Sequence, residues 1–289
     1  MPEGLRLYNL FSPLAGAVPA WRRHLPRIAA MDFNSVYLNP FHAPGFSGSL
    51  YAVKDFYALN PLFGGTGSTA ADDALIAAFT DDCARHLLRP VMDLVVNHTA
   101  KDNPLTQRHP HWFARNRDGS VRSPSAIDPA DAGRVTVWGD LAEIAFDGGA
   151  AEDETVAYFC GVVRHYAELG FAGFRCDAAY KVPARVWRRL IAAARAVRAD
   201  ALFLAETLGA RLDEVAGLQD AGFDYLFNSS KWWDFADDWL LQQYDAFRVI
   251  APSIAFPESH DTDRLAAALI AQGIVESDAI EARYAQAYA

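Results

Sequence analysis

Gly170-Phe171-Ala172-Gly173-Phe174-Arg175-Cys176-Asp177-Ala178-Ala179 is short, apolar and closes on a charged pair, as does a buried barrel strand that delivers reactive groups to its rim. Alternation along a strand puts Gly173, Arg175 and Asp177 on one face and Phe174 and Cys176 on the other. A carboxylate two positions from an arginine on the same face is held ionised by the opposite charge. That leaves Asp177 available as a nucleophile and not as an acid. Standing alone, Arg-x-Asp is more often a structural ion pair, because such pairs also perturb pKa values.

Its company changes the reading. Val91-Met92-Asp93-Leu94-Val95-Val96-Asn97-His98, Leu202-Phe203-Leu204-Ala205-Glu206 and Ile254-Ala255-Phe256-Pro257-Glu258-Ser259-His260-Asp261 also run from apolar residues into reactive ones. Helical segments separate them. Polar groups at the C-terminal ends of several apolar strands are the pattern of a (β/α)-barrel active site. Glu206, desolvated on one side by its own strand, is expected to have a raised pKa and to stay protonated for donation.

Taken in order, these stretches resemble the four signature regions of glycoside hydrolase family 13, the α-amylase family. The D-x-x-x-N-H pattern lies at 93–98, G-x-R-x-D at 173–177, the strand-end glutamate at Glu206 and H-D at His260 and Asp261. The resemblance covers nearly the whole chain. It implies an α/β fold of the TIM (β/α)8 type, with a barrel over 1–98 and 150–289 and a small inserted domain B over 99–149. It also implies that Asp177 is the nucleophile, Glu206 the general acid/base, and Asp261 a third carboxylate that binds sugar hydroxyls. By the same resemblance Tyr51 and Asp55 belong to a loop supplying an aromatic platform, and His98, Arg175 and His260 bind or orient the substrate. The implied reaction is retaining hydrolysis of α-1,4-linked glucans or malto-oligosaccharides. Two alternatives stand beside it: a transglycosidase such as a maltosyltransferase, and an inactive barrel fragment that at most binds glucan.

Periodicity supplies the remaining elements. Strands are expected at 5–10, 35–39 and 223–227. Helices are expected at 18–30, with Trp21, Leu25 and Ile28 inward, and at 69–88, capped by Thr69, with Leu75, Ala78, Phe79 and Ala84 inward. Further helices fall at 152–169, 182–197, 263–274 and 278–289, and Ser230 is positioned to cap another beginning at Lys231-Trp232-Trp233. The stretch 99–149 has no sustained period and is far longer than a usual connection between barrel elements. No eighth strand is legible, so a C-terminal segment or a partner is expected to complete the barrel.

Composition narrows the partners. The 289 residues carry 26 lysines and arginines against 36 acidic residues, a formal net charge of -10, which disfavours nucleic acid and anionic membranes. Cys83, Cys160 and Cys176 are odd in number and widely spaced, which suits buried thiols in a reducing, cytoplasmic setting. No apolar run reaches about 18 residues. His109 and His111, without a cysteine or third histidine nearby, give little reason for zinc. No cofactor is required; calcium stays open, since Asp128, Asp131 and Asp140 could supply oxygen ligands.

Overall fold

The computed structural model describes residues 4–128 and 131–288. Seven parallel strands form one sheet in chain order: β1 (Leu7–Leu10), β2 (Ser35–Leu38), β3 (Arg89–Leu94), β4 (Gly173–Cys176), β5 (Leu202–Ala205), β6 (Tyr225–Phe227) and β7 (Ser253–Ile254). Each strand pairs in parallel with the next. Sequential parallel strands joined by helical crossovers curl into a TIM-barrel-like sheet with its helices outside. Among the described residues β1 pairs only with β2, and β7 only with β6.

The central strands β2 to β5 bury both faces, as strands of a covered parallel sheet do. Tyr37, Val91 and Leu204 pack with Leu7, Tyr225, Phe227 and Ile254 on the concave side. Val36, Leu38, Met92, Leu94, Phe174, Cys176 and Phe203 join the larger core beneath the helices. Phe174 and Phe203 stack there at 5.0 Å. Cys83, Cys160 and Cys176 are all free and buried, as their spacing suggests. Among the described residues no helix is long and apolar enough to cross a membrane.

The main helices are α1 (Thr69–Arg85), α2 (Gly149–Glu168), α3 (Ala184–Arg195), α4 (Leu212–Ala216), α5 (Trp239–Phe247), α6 (Leu265–Ala271) and α7 (Ser277–Tyr288). Several expectations need correction. The helix expected at 18–30 is three pieces, Val18–Trp21, a 3-10 turn at Arg22–His24, and Leu25–Ala30. Pro26 has no N–H to donate to Arg22, so the α pattern breaks there, although Trp21, Leu25 and Ile28 are all buried as expected.

On α1 the inward face is Asp72, Ile76, Phe79, Thr80 and Cys83, and Ala84 is exposed. Asp72 turns inward because its carboxylate accepts from Leu59 N at 3.0 Å, Thr66 N at 2.8 Å and Thr66 Oγ1 at 2.9 Å. Ser68, not Thr69, occupies the cap position. Ser230 caps no helix. Its hydroxyl accepts from Phe256 N at 2.9 Å, and the next helix is α5.

Between β3 and α2 the chain makes small antiparallel pairs. His98–Ala100 pairs with Leu141–Glu143, and Ser125–Asp128 with Asp131–Val137.

Candidate active site

The site begins with strand register. On β3 and β4, Asp93 lies opposite Arg175, so two inward side chains of opposite charge meet in the barrel. Arg175 Nη1 donates to both Asp93 oxygens, at 2.9 and 3.1 Å, and to Asp177 Oδ1 at 2.8 Å. Its Nη2 lies 4.0 Å from Glu206 Oε2. Tyr37 and Tyr51 hydroxyls donate to Asp93 Oδ2 at 2.5 and 2.7 Å. Asp93 and Arg175 are both buried. A buried charge persists only when paired and hydrogen-bonded, and this network supplies both conditions.

Asp177 follows the last residue of β4, and Glu206 the last of β5. Glu206 Oε2 accepts from Ala178 N at 2.8 Å and Oε1 from Leu208 N at 2.6 Å. Ala178 adopts φ 40°, ψ 50°, a left-handed conformation that costs a non-glycine residue energy. The turn brings the amide of the residue after Asp177 onto Glu206.

Burial pushes the Glu206 carboxyl up to about 7, against the opposing effect of Arg175 and the two backbone donors. That agrees with the expectation for a strand-end carboxyl. At Asp177 the same two effects compete. Burial raises its pKa above the ordinary value, and Arg175 only partly opposes this. The guanidinium that was to hold Asp177 ionised is shared with Asp93, so one cation serves two carboxylates at hydrogen-bond distance.

His260 Nε2 lies 3.0 Å from Asp261 Oδ2 and 2.7 Å from the Tyr51 hydroxyl. The Tyr51 and His260 rings stack at 5.9 Å. His98 Nε2 is 3.2 Å from the Tyr51 carbonyl oxygen, and burial pushes the imidazole down to about 4, so it is neutral at pH 7. Among the described residues neither His98 Nδ1 nor Asn97 Oδ1, both buried, has a hydrogen-bond partner. Tyr51, His98, Asp177, Glu206 and Asp261 line one cavity of about 780 Å³, together with Trp138, Tyr180 and Lys181.

Asp55 does not join them. It lies on the strand Val53–Leu59, where Val53, Phe56 and Leu59 take the buried positions and Asp55 faces solvent. Its Oδ1 accepts from Tyr57 N at 2.9 Å, a local turn contact.

A family model described as "Glycogen debranching enzyme, glucanotransferase domain" matches residues 1–115. An "Alpha-1,4-glucan:maltose-1-phosphate maltosyltransferase" of Burkholderia pseudomallei is 31% identical over 260 residues, covering 90% of this chain and 22% of that protein. A protein of the same description, numbered 2, from Streptomyces coelicolor is 30% identical, covering 73% of this chain and 32% of the relative. This chain therefore spans a third or less of these relatives' lengths. Among solved structures, an α-amylase from Lactobacillus plantarum superposes with a TM-score of 0.73 at 25% identity, over 91% of this chain and 64% of that one. Together these likenesses support a glycoside hydrolase family 13 domain of the maltosyltransferase-like branch.

The structure adds residues that the sequence left without a role. Asp93 sits inside the first signature, yet its function as the common acceptor for Arg175, Tyr37 and Tyr51 emerges only from strand register. Asn39 Nδ2, 3.3 Å from both tyrosine hydroxyls, extends the network, and Asn9 Nδ2 donates to Asn39 Oδ1 at 2.9 Å.

The histidine pair gains a neighbour as well. Ligand atoms of His109, His111 and Glu154 lie within 4.8 Å of one another. Glu154 Oε2 is 2.9 Å from His111 Nε2 and accepts from Trp112 Nε1 at 3.2 Å. These side chains do not line the cavity. Of the three suggested calcium ligands, Asp140 lines the cavity, while the Asp128 and Asp131 side chains lie outside the described residues.

Proposed function

We propose that this domain acts on α-glucosidic bonds of α-1,4-glucans or malto-oligosaccharides, with retention of anomeric configuration. Asp177 attacks the anomeric carbon as the glycosidic bond breaks. The bonding electrons pass to the leaving oxygen, which takes the proton from Glu206. Glu206, now ionised, removes a proton from the incoming hydroxyl, and that oxygen displaces Asp177. Retention by this route calls for carboxyl groups about 5–5.5 Å apart.

The observation that carries the reading is a pair of carboxyls from adjacent strand ends, in one cavity and against one guanidinium, with Glu206 brought to a pKa of about 7. A general acid works best with a pKa near the operating pH. In this reading Asp261 grips hydroxyls of the reacting sugar. Tyr51 and His260 offer their stacked rings to it, His98 borders it, and Arg175 orients Asp177 from below. The excursion at 99–149 acts as a domain B that walls one side of the cleft, since Trp138, Asp140 and Leu141 line the cavity.

The names of the relatives favour transfer to a sugar over transfer to water. Incubation of the 289-residue protein with maltoheptaose, with and without added maltose, separates the two. Shorter products alone mean hydrolysis, and shorter and longer products together mean transfer. A folded sample that leaves maltoheptaose unchanged under both conditions refutes the activity. Asp177→Asn should abolish turnover, by at least about 10⁴-fold, while the unfolding transition is retained.

A further inference from the structure

The cavity holding Asp177 and Glu206 has more acidic than basic walls. Asp140, Glu143, Asp177, Glu206 and Asp261 line it alongside two cations, Arg122 and Lys181. Both cations are already engaged. Arg122 grips Glu143 with two parallel bonds, Nε to Oε2 at 2.7 Å and Nη2 to Oε1 at 2.8 Å, the strong bidentate geometry of a guanidinium on a carboxylate. Lys181 Nζ lies 3.6 Å from Glu214 Oε1.

The two glutamates are themselves fixed. Glu143 stands on a strand in register with His98. Glu214, in α4, accepts from Arg211 N through its other oxygen at 3.0 Å. The third cation near the reacting pair, Arg175, is divided among Asp93, Asp177 and Glu206.

A glycosyl phosphate carries its negative charge on the leaving group, which must lie beside the general acid. In this cavity that group would meet carboxylates, and cations already paired with carboxylates. An uncharged sugar leaving group meets no such opposition. We propose that Glu143 and Glu214 restrict the site to neutral glycosyl donors by occupying Arg122 and Lys181. The two glutamates are thus determinants of donor charge. The inference rests on the reading of Asp177 and Glu206 as the reacting pair, and it sets this chain apart from relatives whose names include maltose-1-phosphate.

The test is equilibrium binding, which needs no turnover. The chain with Asp177 intact is titrated by calorimetry with maltose and with the non-cleavable C-phosphonate analogue of α-maltose 1-phosphate at low and high salt. The phosphonate is expected to bind more weakly by about tenfold or more at low salt, because like charges brought together at a site are disfavoured, and the gap should narrow as salt screens it. Added singly to that chain, Glu143→Gln and Glu214→Gln keep a side-chain oxygen as acceptor, free one cation each, and should shrink the gap at least about threefold. Equal or tighter binding of the phosphonate by the parent chain overturns the proposal. So does a ratio that neither substitution nor salt moves, and so does failure of both sugars to bind at millimolar concentration. Maltoheptaose turnover is measured separately. Its absence with the binding ratio preserved counts against the proposed reaction and leaves the charge selection standing.

Discussion

Glu206→Gln tests whether the general-acid candidate carries its proton at neutral pH, and its effect on stability has a definite sign. The folded carboxyl titrates near 7, against an ordinary value of 4.5. A carboxyl whose pKa is raised by folding binds more protons in the native state than in the unfolded state between those two values. Stability therefore falls as pH rises through the interval. At 1.36 kcal/mol per pH unit, the interval corresponds to about 3 kcal/mol lost between pH 4.5 and pH 8. Glutamine keeps the shape and an acceptor oxygen, but does not titrate. Urea unfolding of both proteins at half-unit pH steps should show the glutamine variant gaining on the parent by up to about 3 kcal/mol over this range. A difference that stays flat to within about 0.5 kcal/mol, or that changes in the opposite direction, refutes the claim that burial dominates at Glu206.

Other outcomes follow from the same interactions. Arg175→Ala leaves buried Asp93 and half-buried Asp177 without their shared cation and should cost about 3–5 kcal/mol by urea unfolding; a loss below about 1 kcal/mol would show that the carboxylates are compensated elsewhere. Asp72→Asn weakens three hydrogen bonds to Leu59 and Thr66 and should cost about 1–3 kcal/mol at pH 7. The Asp72 pKa is lowered below 3.8 because the hydrogen bonds from Thr66 and Leu59 outweigh burial. Its contribution is thus present above the unfolded value and lost as pH falls through the folded one, so the two proteins should converge in acid. A penalty that persists unchanged to pH 2 would contradict this.

The reactive strand ends were legible because alternation and a polar terminus are local properties, and Leu202–Ala205 is bounded in the structure as the sequence suggests. The network beneath them was not. Tyr37, Asp93 and Arg175 are separated by 56 and 82 positions, and they meet only because β2, β3 and β4 pair in a particular register. This also explains why Arg175 opposes only part of the effect of burial on Asp177. Read locally, Arg175 belongs to the carboxylate two residues away, whereas in the barrel it serves Asp93 too.

Asp55 failed for the complementary reason. A position beside an aromatic motif does not say which way a strand residue points, and the buried set of Val53, Phe56 and Leu59 leaves Asp55 in water. On α1 the hydrophobic pattern was overruled by one polar residue, Asp72, whose backbone partners are the end of the strand Val53–Leu59 and Thr66 on the loop that follows it. Within 99–149, Val135 and Val137 share one face of a strand, and both side chains are exposed. A hairpin that buries neither valine has no core face to give its period away.

Trapping the covalent intermediate tests the central claim most directly. In the Glu206→Gln protein, α-maltosyl fluoride supplies a leaving group that needs no acid, and the missing base slows the second displacement. After acid quench and proteolysis, mass mapping should find one maltosyl increment on the peptide carrying Asp177, and none in the Asp177→Asn, Glu206→Gln double variant. Fluoride release with no adduct, or with an adduct on another residue, would contradict the assignment of Asp177 as the nucleophile.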